Sequence, residues 1–253
     1  MNFGCRYIMK ISYLGTNYSG WQIQKNSFTV QGSIMSCLKS ILKFDIPLIV
    51  GAGRTDAGVH AVNFFAHFDY FNDLDCKDLL YRLNRFLNID ISVHYIMPIS
   101  SKFHARFSAI SRSYDYWVST LKDPFLISRS YQFFKSLDIQ KMNEGAKLLI
   151  GTHDFRCFSK TKYDNSLCEV NSAVWIKSKG MLIFSINANR FLHNMVRAIV
   201  GALLDLGLSK ITIDNFISIL NGQNNCKFIR SVPACGLYLM NVDYPKKYNI
   251  ETS

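Results

Sequence analysis

A glycine-rich stretch at residues 51–60, Gly-Ala-Gly-Arg-Thr-Asp-Ala-Gly-Val-His, carries a carboxylate and a guanidinium two residues apart, in Asp56 and Arg54. An apolar run at 46–50 predicts a buried strand before this loop, and alternation over 61–69 predicts a half-buried strand after it. Loops held between strands often carry active-site groups. Asp56 is therefore the candidate for the chemistry.

A structural explanation competes with this one, because Arg54 and Asp56 could simply hold a tight turn together. The glycines at 51, 53 and 58 permit backbone angles that a side chain would forbid, and they let another part of the chain approach closely. Two histidines, His60 and His193, could be mistaken for acid-base catalysts. A histidine near an apolar turn is more often a hydrogen-bonded structural group, so both rank below Asp56.

The composition is that of a globular, basic protein. Hydrophobic residues make up 49% of the 253, which is enough for a substantial core. Lys and Arg total 29 against 18 Asp and Glu, giving a net charge of +11. Such a surplus suggests a polyanionic partner, since each neutralised phosphate releases a counterion. A lysine-rich genome would produce the same surplus without such a partner.

The seven cysteines form an odd set with neither Cys-x-x-Cys nor a Cys/His ligand spacing. They predict free thiols in a cytoplasmic protein, and no metal site is expected. Arg6 and Lys10 interrupt the apolar residues of the N-terminus, so no signal peptide is expected. Apolar stretches are also too short to suggest a membrane span.

Short strands and amphipathic helices alternate without a parallel βαβ rhythm, which predicts an α+β fold with a mostly antiparallel sheet. The likeliest seam lies near residues 100–107. Helices are predicted at 29–42, 77–87, 139–150, 191–206 and 213–220, and strands at 6–13, 91–97, 114–120, 173–178 and 181–188. Lys179-Gly180 supplies a hairpin turn between the last two strands.

The predicted helix 191–206 carries one polar stripe, in which Arg190, His193, Asn194 and Arg197 follow at helical spacing. The stripe could be the solvent side of a core helix. Because the rest of the helix is apolar, it could instead line a cleft, where Arg197 would form a bidentate pair with Asp56 and keep it ionised.

The segment Gly-Arg-Thr-Asp-Ala-Gly-Val-His at 53–60 closely resembles the signature of the tRNA pseudouridine synthase A family. Further blocks resemble that family in the same order, at residues 13–22, 105–109 with 112–114, 151–155, 191–197, 234–239 and 242–245. The block at 151–155 resembles the family's mobile loop after a helix. One departure is visible: Cys168-Glu169 stands where the family usually has an arginine, which leaves one tRNA or loop contact in doubt.

The resemblance implies a pseudouridine synthase fold of two ferredoxin-like halves with a central sheet and a basic cleft. We expect an N-terminal half at 1–104 with the aspartate loop, and a C-terminal half at 105–253 with the tyrosine and the arginine helix. The implied catalytic residues are Asp56, Tyr114, which would stack on the target uracil, and Arg197. The implied substrate- or RNA-binding residues are Arg54, Arg112, His193 and Leu237.

Ordinary structural roles remain open for two of these residues, since Tyr114 could be a core tyrosine of a strand and Leu237 a core leucine. The resemblance implies an isomerase that converts uridine to pseudouridine at positions 38, 39 and 40 of the tRNA anticodon stem-loop, after flipping the base. Its expected partner is tRNA, it is expected to act as a homodimer, and the reaction needs no cofactor or metal. Whether the aspartate attacks C1′, attacks C6 or removes a proton stays open.

Two other classes compete with the isomerase. A non-catalytic RNA-binding protein would share the basic charge and the aromatic residues, but it has no need of a constrained carboxylate facing an anionic substrate. A hydrolase using Asp56 as its acid would require a second carboxylate at a telling spacing, and the sequence offers no clear one.

Overall fold

A computed structural model describes residues 4–44, 48–222 and 229–250. The chain divides into two compact units, Met1–Ile110 with Leu239–Ser253, and Ser111–Tyr238. The expected halves, 1–104 and 105–253, differ from these units at the seam and at the end of the chain. The end returns to the first unit, where the Tyr244 hydroxyl donates to the carbonyl of Ala105 at 2.6 Å and the amide of Ile110 donates to that of Asp243 at 2.8 Å.

The first unit is built on an antiparallel sheet in which β1 lies between β3 and β4. The short β2 pairs with β3 at Ala66 and His67, on the edge of β3 away from β1. The two helices pack against each other, and α2 also packs on β4. The elements are β1 (Cys5–Tyr13), α1 (Val30–Leu42), β2 (Val50–Gly51), β3 (His60–Tyr70), α2 (Cys76–Phe86) and β4 (Ile91–Ile99).

The second unit has the antiparallel strand order β5-β9-β8-β7, with β6 parallel beside β5. Its three helices pack together, and α3 also contacts β8. The elements are β5 (Ser111–Ser119), β6 (Tyr131–Gln132), α3 (Ile139–Lys147), β7 (Gly151–Asp154), β8 (Leu167–Ser178), β9 (Met181–Ala188), α4 (Met195–Gly207) and α5 (Ile213–Leu220); β10 (Leu237–Asp243) begins here and continues into the first unit.

The predicted α+β class and mostly antiparallel pairing are confirmed. The hairpin between β8 and β9 is also confirmed: its turn residues Lys179 and Gly180 have φ of 40° and 79°, as a two-residue turn of this hand requires. The ferredoxin-like character of the halves and the basic cleft stay predictions.

Four local predictions are wrong. The strand expected at 46–50 begins only at Val50, and residues 45–47 lie outside the described part of the chain. Residues 151–155 were expected to be a loop after a helix, but Gly151–Asp154 forms strand β7, which pairs with β8. In α2 the apolar spacing predicts that Leu79, Leu80, Leu83 and Phe86 are buried. Phe86 is instead 61% exposed, because the helix ends there and Leu87 takes the buried position.

The fourth error concerns β3, which is buried on both faces rather than one. The alternation over 61–69 predicts that Phe65 and His67 face solvent, but both are buried. Phe65 packs edge to face on Tyr244, with ring centroids 5.4 Å apart, and His67 accepts a hydrogen bond from the amide of Ala105 at 3.1 Å. The returning end of the chain and the segment before β5 therefore cover the second face.

The prediction of free thiols is confirmed for five cysteines and wrong for one, and Cys226 lies outside the described residues. Free thiols are found at Cys5, Cys37, Cys76, Cys168 and Cys235, whereas Cys157 is disulfide-bonded. None of the helices in the described residues combines the length and the apolar character needed to cross a bilayer.

Candidate active site

Asp56 lies in the loop between β2 and β3, and the residues beside it anchor the loop. Thr55 is buried, and its hydroxyl lies 2.9 Å from the hydroxyl of Tyr13. The carbonyl of Thr55 accepts a hydrogen bond from the amide of Trp21 at 3.3 Å, and that of Asp56 accepts from the amide of Val59 at 3.2 Å. Asp56 itself is half-buried, and these two hydrogen bonds hold the backbone on both sides of it.

His60 ends the loop as a structural group, as the sequence favoured. It is 1% exposed, and its Nδ1 accepts a hydrogen bond from the amide of Gly15 at 3.0 Å. Because its Nδ1 already accepts a backbone amide, His60 supports the loop and is not a candidate catalyst.

Sequence reasoning missed the part played by residues 13–21, which press closely on the loop from the end of β1. Gly20 has φ of 88°, and a Cβ there would lie well inside 3.0 Å of the Thr55 carbonyl oxygen. A Cβ on Gly15 would collide in the same way with the carbonyl of Val59. Two glycines five residues apart just after a strand were the available signal.

The glycines of the loop itself behave as predicted in two cases of three. Gly58 has φ of 79°, and Gly51 packs too closely on the Trp21 indole to carry a side chain. The prediction is wrong for Gly53, whose Cβ position has open space within 4 Å and whose φ is ordinary. The neighbouring Arg54 is exposed, so this side of the loop is accessible.

Tyr114 and Arg112 lie in β5, in the second unit, opposite the end of β9. The pairing register sets Arg112 against Ala188 and Tyr114 against Ile186. The guanidinium of Arg112 donates to the carbonyl of Asn189 at 3.0 Å. Tyr114 is half-buried, and its ring meets that of Phe191 edge to face, with centroids 5.0 Å apart. Packing therefore fixes the Tyr114 ring, which a stacking residue requires.

The polar stripe predicted on one helix is wrong, because α4 begins only at Met195. Asn194 has φ of 69°, a left-handed conformation that stops a right-handed helix from extending towards Phe191. Its side-chain amide donates to the Ser231 hydroxyl at 2.7 Å instead. Arg190, His193 and Asn194 thus precede the helix, and Arg197 alone of the four lies on it.

Arg197 is the third residue of α4, a helix that is otherwise almost completely buried. Along its length, Arg197 and Asp205 are the two residues not fully buried. The Arg197 Nε donates to the carbonyl of Val232 at 2.8 Å. A cation in the first turn of a helix opposes the helix dipole, so an anion beside Arg197 would be favourable.

His193 lies in the turn before α4 and ties down a neighbouring basic segment. Its Nδ1 lies 2.9 Å from the hydroxyl of Thr161, its amide donates to the Tyr163 hydroxyl at 3.2 Å, and its carbonyl accepts from the amide of Lys160 at 3.3 Å. The side chains of His193, Lys160 and Tyr163 are exposed. These contacts form an exposed rim of basic and aromatic groups beside the start of α4.

The predicted site residues are distributed between the two units. Asp56 and Arg54 belong to the first, and the second contains Arg112, Tyr114, His193, Arg197 and Leu237. Leu237 is 7% exposed at the start of β10. Within the second unit, the end of β9 and the turn that follows bring Arg112 and Tyr114 next to the segment that leads to Arg197. Among the described residues, no group of three or more His, Cys, Asp or Glu side chains could hold a metal ion.

Comparison with known proteins gives consistent matches. A family model described as tRNA pseudouridine synthase matches residues 146–245. The tRNA pseudouridine synthase A of Bacteroides thetaiotaomicron is 44% identical over 246 residues, covering 95% of this chain and 91% of the relative. That of Parabacteroides distasonis is 44% identical, covering 96% and 97%. That of Bacillus subtilis is 39% identical over 240 residues, covering 92% and 97%.

Proposed function

This chain belongs to the tRNA pseudouridine synthase A family, and we propose that it isomerises uridine to pseudouridine in tRNA with Asp56 as the catalytic carboxylate. We further propose that its targets are positions 38, 39 and 40 of the anticodon stem-loop, in keeping with the family resemblance. The observation that carries the assignment of Asp56 is its loop, in which backbone hydrogen bonds and the buried Thr55 fix the position of a half-buried Asp56.

The reaction explains why such a carboxylate is needed. The bond from N1 of uracil to C1′ breaks, a bond from C5 to C1′ forms, and the proton lost from C5 is balanced by one gained at N1. No electrons are exchanged with an outside reagent, so no redox cofactor is required. The reaction needs a positioned carboxylate that acts on the sugar or the ring, and confinement that keeps the detached uracil in place.

In this proposal Arg197 pairs with Asp56 and sets the direction of its carboxylate. The position of Arg197 supports an anionic partner, because a guanidinium in the first turn of α4 is unfavourable next to the helix dipole alone. Tyr114 stacks on the target uracil and moves a proton in the last step, since a phenol offers both a flat face and a polar hydroxyl. The ring contact with Phe191 supports a fixed stacking surface.

The RNA would be held by exposed cations and released from its stem by flipping. Arg54 is exposed beside the open side of Gly53, where a nucleotide can approach the backbone closely. Arg112 and the rim around His193 would bind phosphates, and Leu237 would press on the base. Flipping a paired base costs a few kcal/mol, which phosphate contacts along the strand offset. We propose that the enzyme acts in the cytoplasm and, as the family resemblance implies, as a homodimer.

The deciding experiment compares Asp56→Asn with the native enzyme in a tritium-release assay on tRNA labelled at C5 of uridine. The variant should release no tritium, because a neutral amide cannot take the place of the carboxylate in the reaction. Its affinity for tRNA should stay within about threefold of the native value. Asp78→Asn is the matched control, since it makes the same change on the exposed face of α2 and should keep full activity. Full release by Asp56→Asn would refute the assignment, and loss of binding together with release would favour a binding role for Asp56.

The proposed positions are tested separately with labelled tRNA transcripts that lack uridine at 38, 39 and 40. These transcripts should bind but release no tritium. Release at the native rate would show that the enzyme modifies other positions, and it would leave the role of Asp56 intact.

A further inference from the structure

Residues 229–232 run along the start of α4 and are bonded to it at successive points. The Nε of Arg197 donates to the carbonyl of Val232 at 2.8 Å, and the amide of Val232 donates back to the carbonyl of Arg197 at 3.3 Å. One residue earlier, the Ser231 hydroxyl accepts from the side-chain amide of Asn194 at 2.7 Å. The segment therefore bonds both the main chain and the side chain of Arg197.

A second set of contacts holds the other end of the segment. The guanidinium of Arg230 lies 3.3 Å from a carboxylate oxygen of Asp205 and 5.9 Å from the centre of the Phe133 ring. The carbonyl of Arg230 packs directly on Gly201, where a Cβ would lie well inside 3.0 Å of that oxygen. Gly201 is thus the residue that allows the segment to approach the helix so closely.

These contacts restrict the guanidinium of Arg197. A guanidinium is planar, and its five N–H donors have fixed relative directions. A hydrogen bond from Nε, together with a buried helix beneath it, sets the plane in which the two terminal nitrogens lie. Because Nε already bonds Val232, a carboxylate bound in a bidentate pair would take one N–H from each terminal nitrogen.

We propose that residues 229–232 are a positioning element for Arg197, which fixes the direction of its guanidinium and so sets the rate of isomerisation without binding the RNA. This inference rests on the proposed role of Arg197. Gly201, Arg230 and Val232 are positioning residues in this sense, since they act on the reaction through Arg197.

Gly201→Ala tests the proposal, because the added methyl group must push the segment away from α4. Alanine is a better helix former than glycine, so the helix itself should not be destabilised. The single-turnover rate at saturating enzyme should fall about 10- to 100-fold, as a small misplacement of a catalytic group does, while tRNA affinity stays within about twofold. Gly207→Ala is the matched control in the same helix, because its methyl group meets the flexible side chain of Met142, and it should keep the native rate.

The same change is then made in an Arg197→Lys background, where no Nε–H remains to bond Val232. If the segment acts through Arg197, Gly201→Ala should slow that variant by less than about twofold. An equal loss in both backgrounds, or no loss in the native background, would overturn the proposal. Should Gly201→Ala fail to fold, Arg230→Met replaces it in the same comparison, because it removes the contact with Asp205 and keeps the aliphatic stem.

Two further outcomes separate this inference from the proposed function. A native rate in Arg197→Lys would overturn the role of Arg197 itself. A slowed Arg197→Lys with an unaffected Gly201→Ala would overturn the positioning role alone. If Arg197→Lys is too slow to measure, the solvent exchange of the Arg197 Nε proton decides instead, since it should quicken in Gly201→Ala and not in Gly207→Ala. Unchanged exchange in Gly201→Ala would again overturn the proposal.

Discussion

Replacing Gly20 by alanine should displace the backbone of the Asp56 loop without removing any side chain proposed to bind the RNA. Gly20 has φ of 88°, and its missing Cβ would lie inside 3.0 Å of the Thr55 carbonyl oxygen and 3.1 Å from the carbonyl carbon of Asp56. Restoring an ordinary carbon contact requires the loop to move by roughly 1 Å. The displaced atoms belong to the backbone of the catalytic loop, so no flexible side chain can absorb the movement.

The expected costs follow from this geometry. A left-handed alanine and an overpacked contact together should lower the free energy of unfolding by about 2 to 4 kcal/mol. A displacement of roughly 1 Å at the reacting carboxylate should slow isomerisation about 100-fold. Binding of tRNA should change little, because the backbone shift removes no cation.

Single-turnover tritium release measures the rate, and chemical denaturation measures the stability. Gly53→Ala is the control for stability, since a Cβ there has open space, and its free energy of unfolding should stay within about 0.5 kcal/mol of native. If Gly20→Ala released tritium at the native rate despite a lowered stability, the position of the loop would not limit the chemistry, and its proposed preorganisation would be wrong.

Two further predictions concern pH and salt. Burial first, and the positive charge of Arg6 second, lower the pKa of His67 from 6.5 to about 4. As the pH falls below about 6.5 the unfolded chain takes up this proton before the folded one, so the free energy of unfolding should fall between about pH 6.5 and 4, by at most about 3 kcal/mol. His67→Asn should remove that part of the pH dependence in denaturation curves, and an unchanged slope would contradict the shift. Affinity for tRNA should fall steeply as the salt concentration rises. Arg54→Met should reduce the slope of the logarithm of the tRNA association constant against the logarithm of salt concentration by roughly 0.7 to 0.9. An unchanged slope would show that Arg54 binds no phosphate.

Elements that depend on neighbouring residues were predicted closely. Thr29 and Asp138 stand at the starts of two predicted helices and serve as their N-caps, since the side chain of each accepts a backbone amide of the helix that follows. The helix at 213–220 and the strand at 181–188 have the predicted bounds. Capping, turn chemistry and apolar periodicity act within a few residues, so a single sequence contains them.

Elements that depend on distant parts of the chain were predicted less well. The polar stripe failed at Asn194, whose left-handed conformation accompanies a hydrogen bond to Ser231, far along the sequence. The second face of β3 is buried by Tyr244 and Ala105, which no pattern within the strand reveals. The prediction of α2 extended the buried stripe to Phe86, which is the last residue of the helix and is exposed.

For the site, the sequence by itself determined which residue types carry the chemistry, since the order of Arg54, Thr55 and Asp56 and their resemblance to one family need no coordinates. Only the tertiary structure decided what holds them. Gly15 and Gly20 are recognised as the support of the loop when β1 and the loop pack together, and Gly201 when Arg230 packs on α4. Close packing between segments remote in sequence leaves no local pattern, because its cost is set by the atoms of the partner segment.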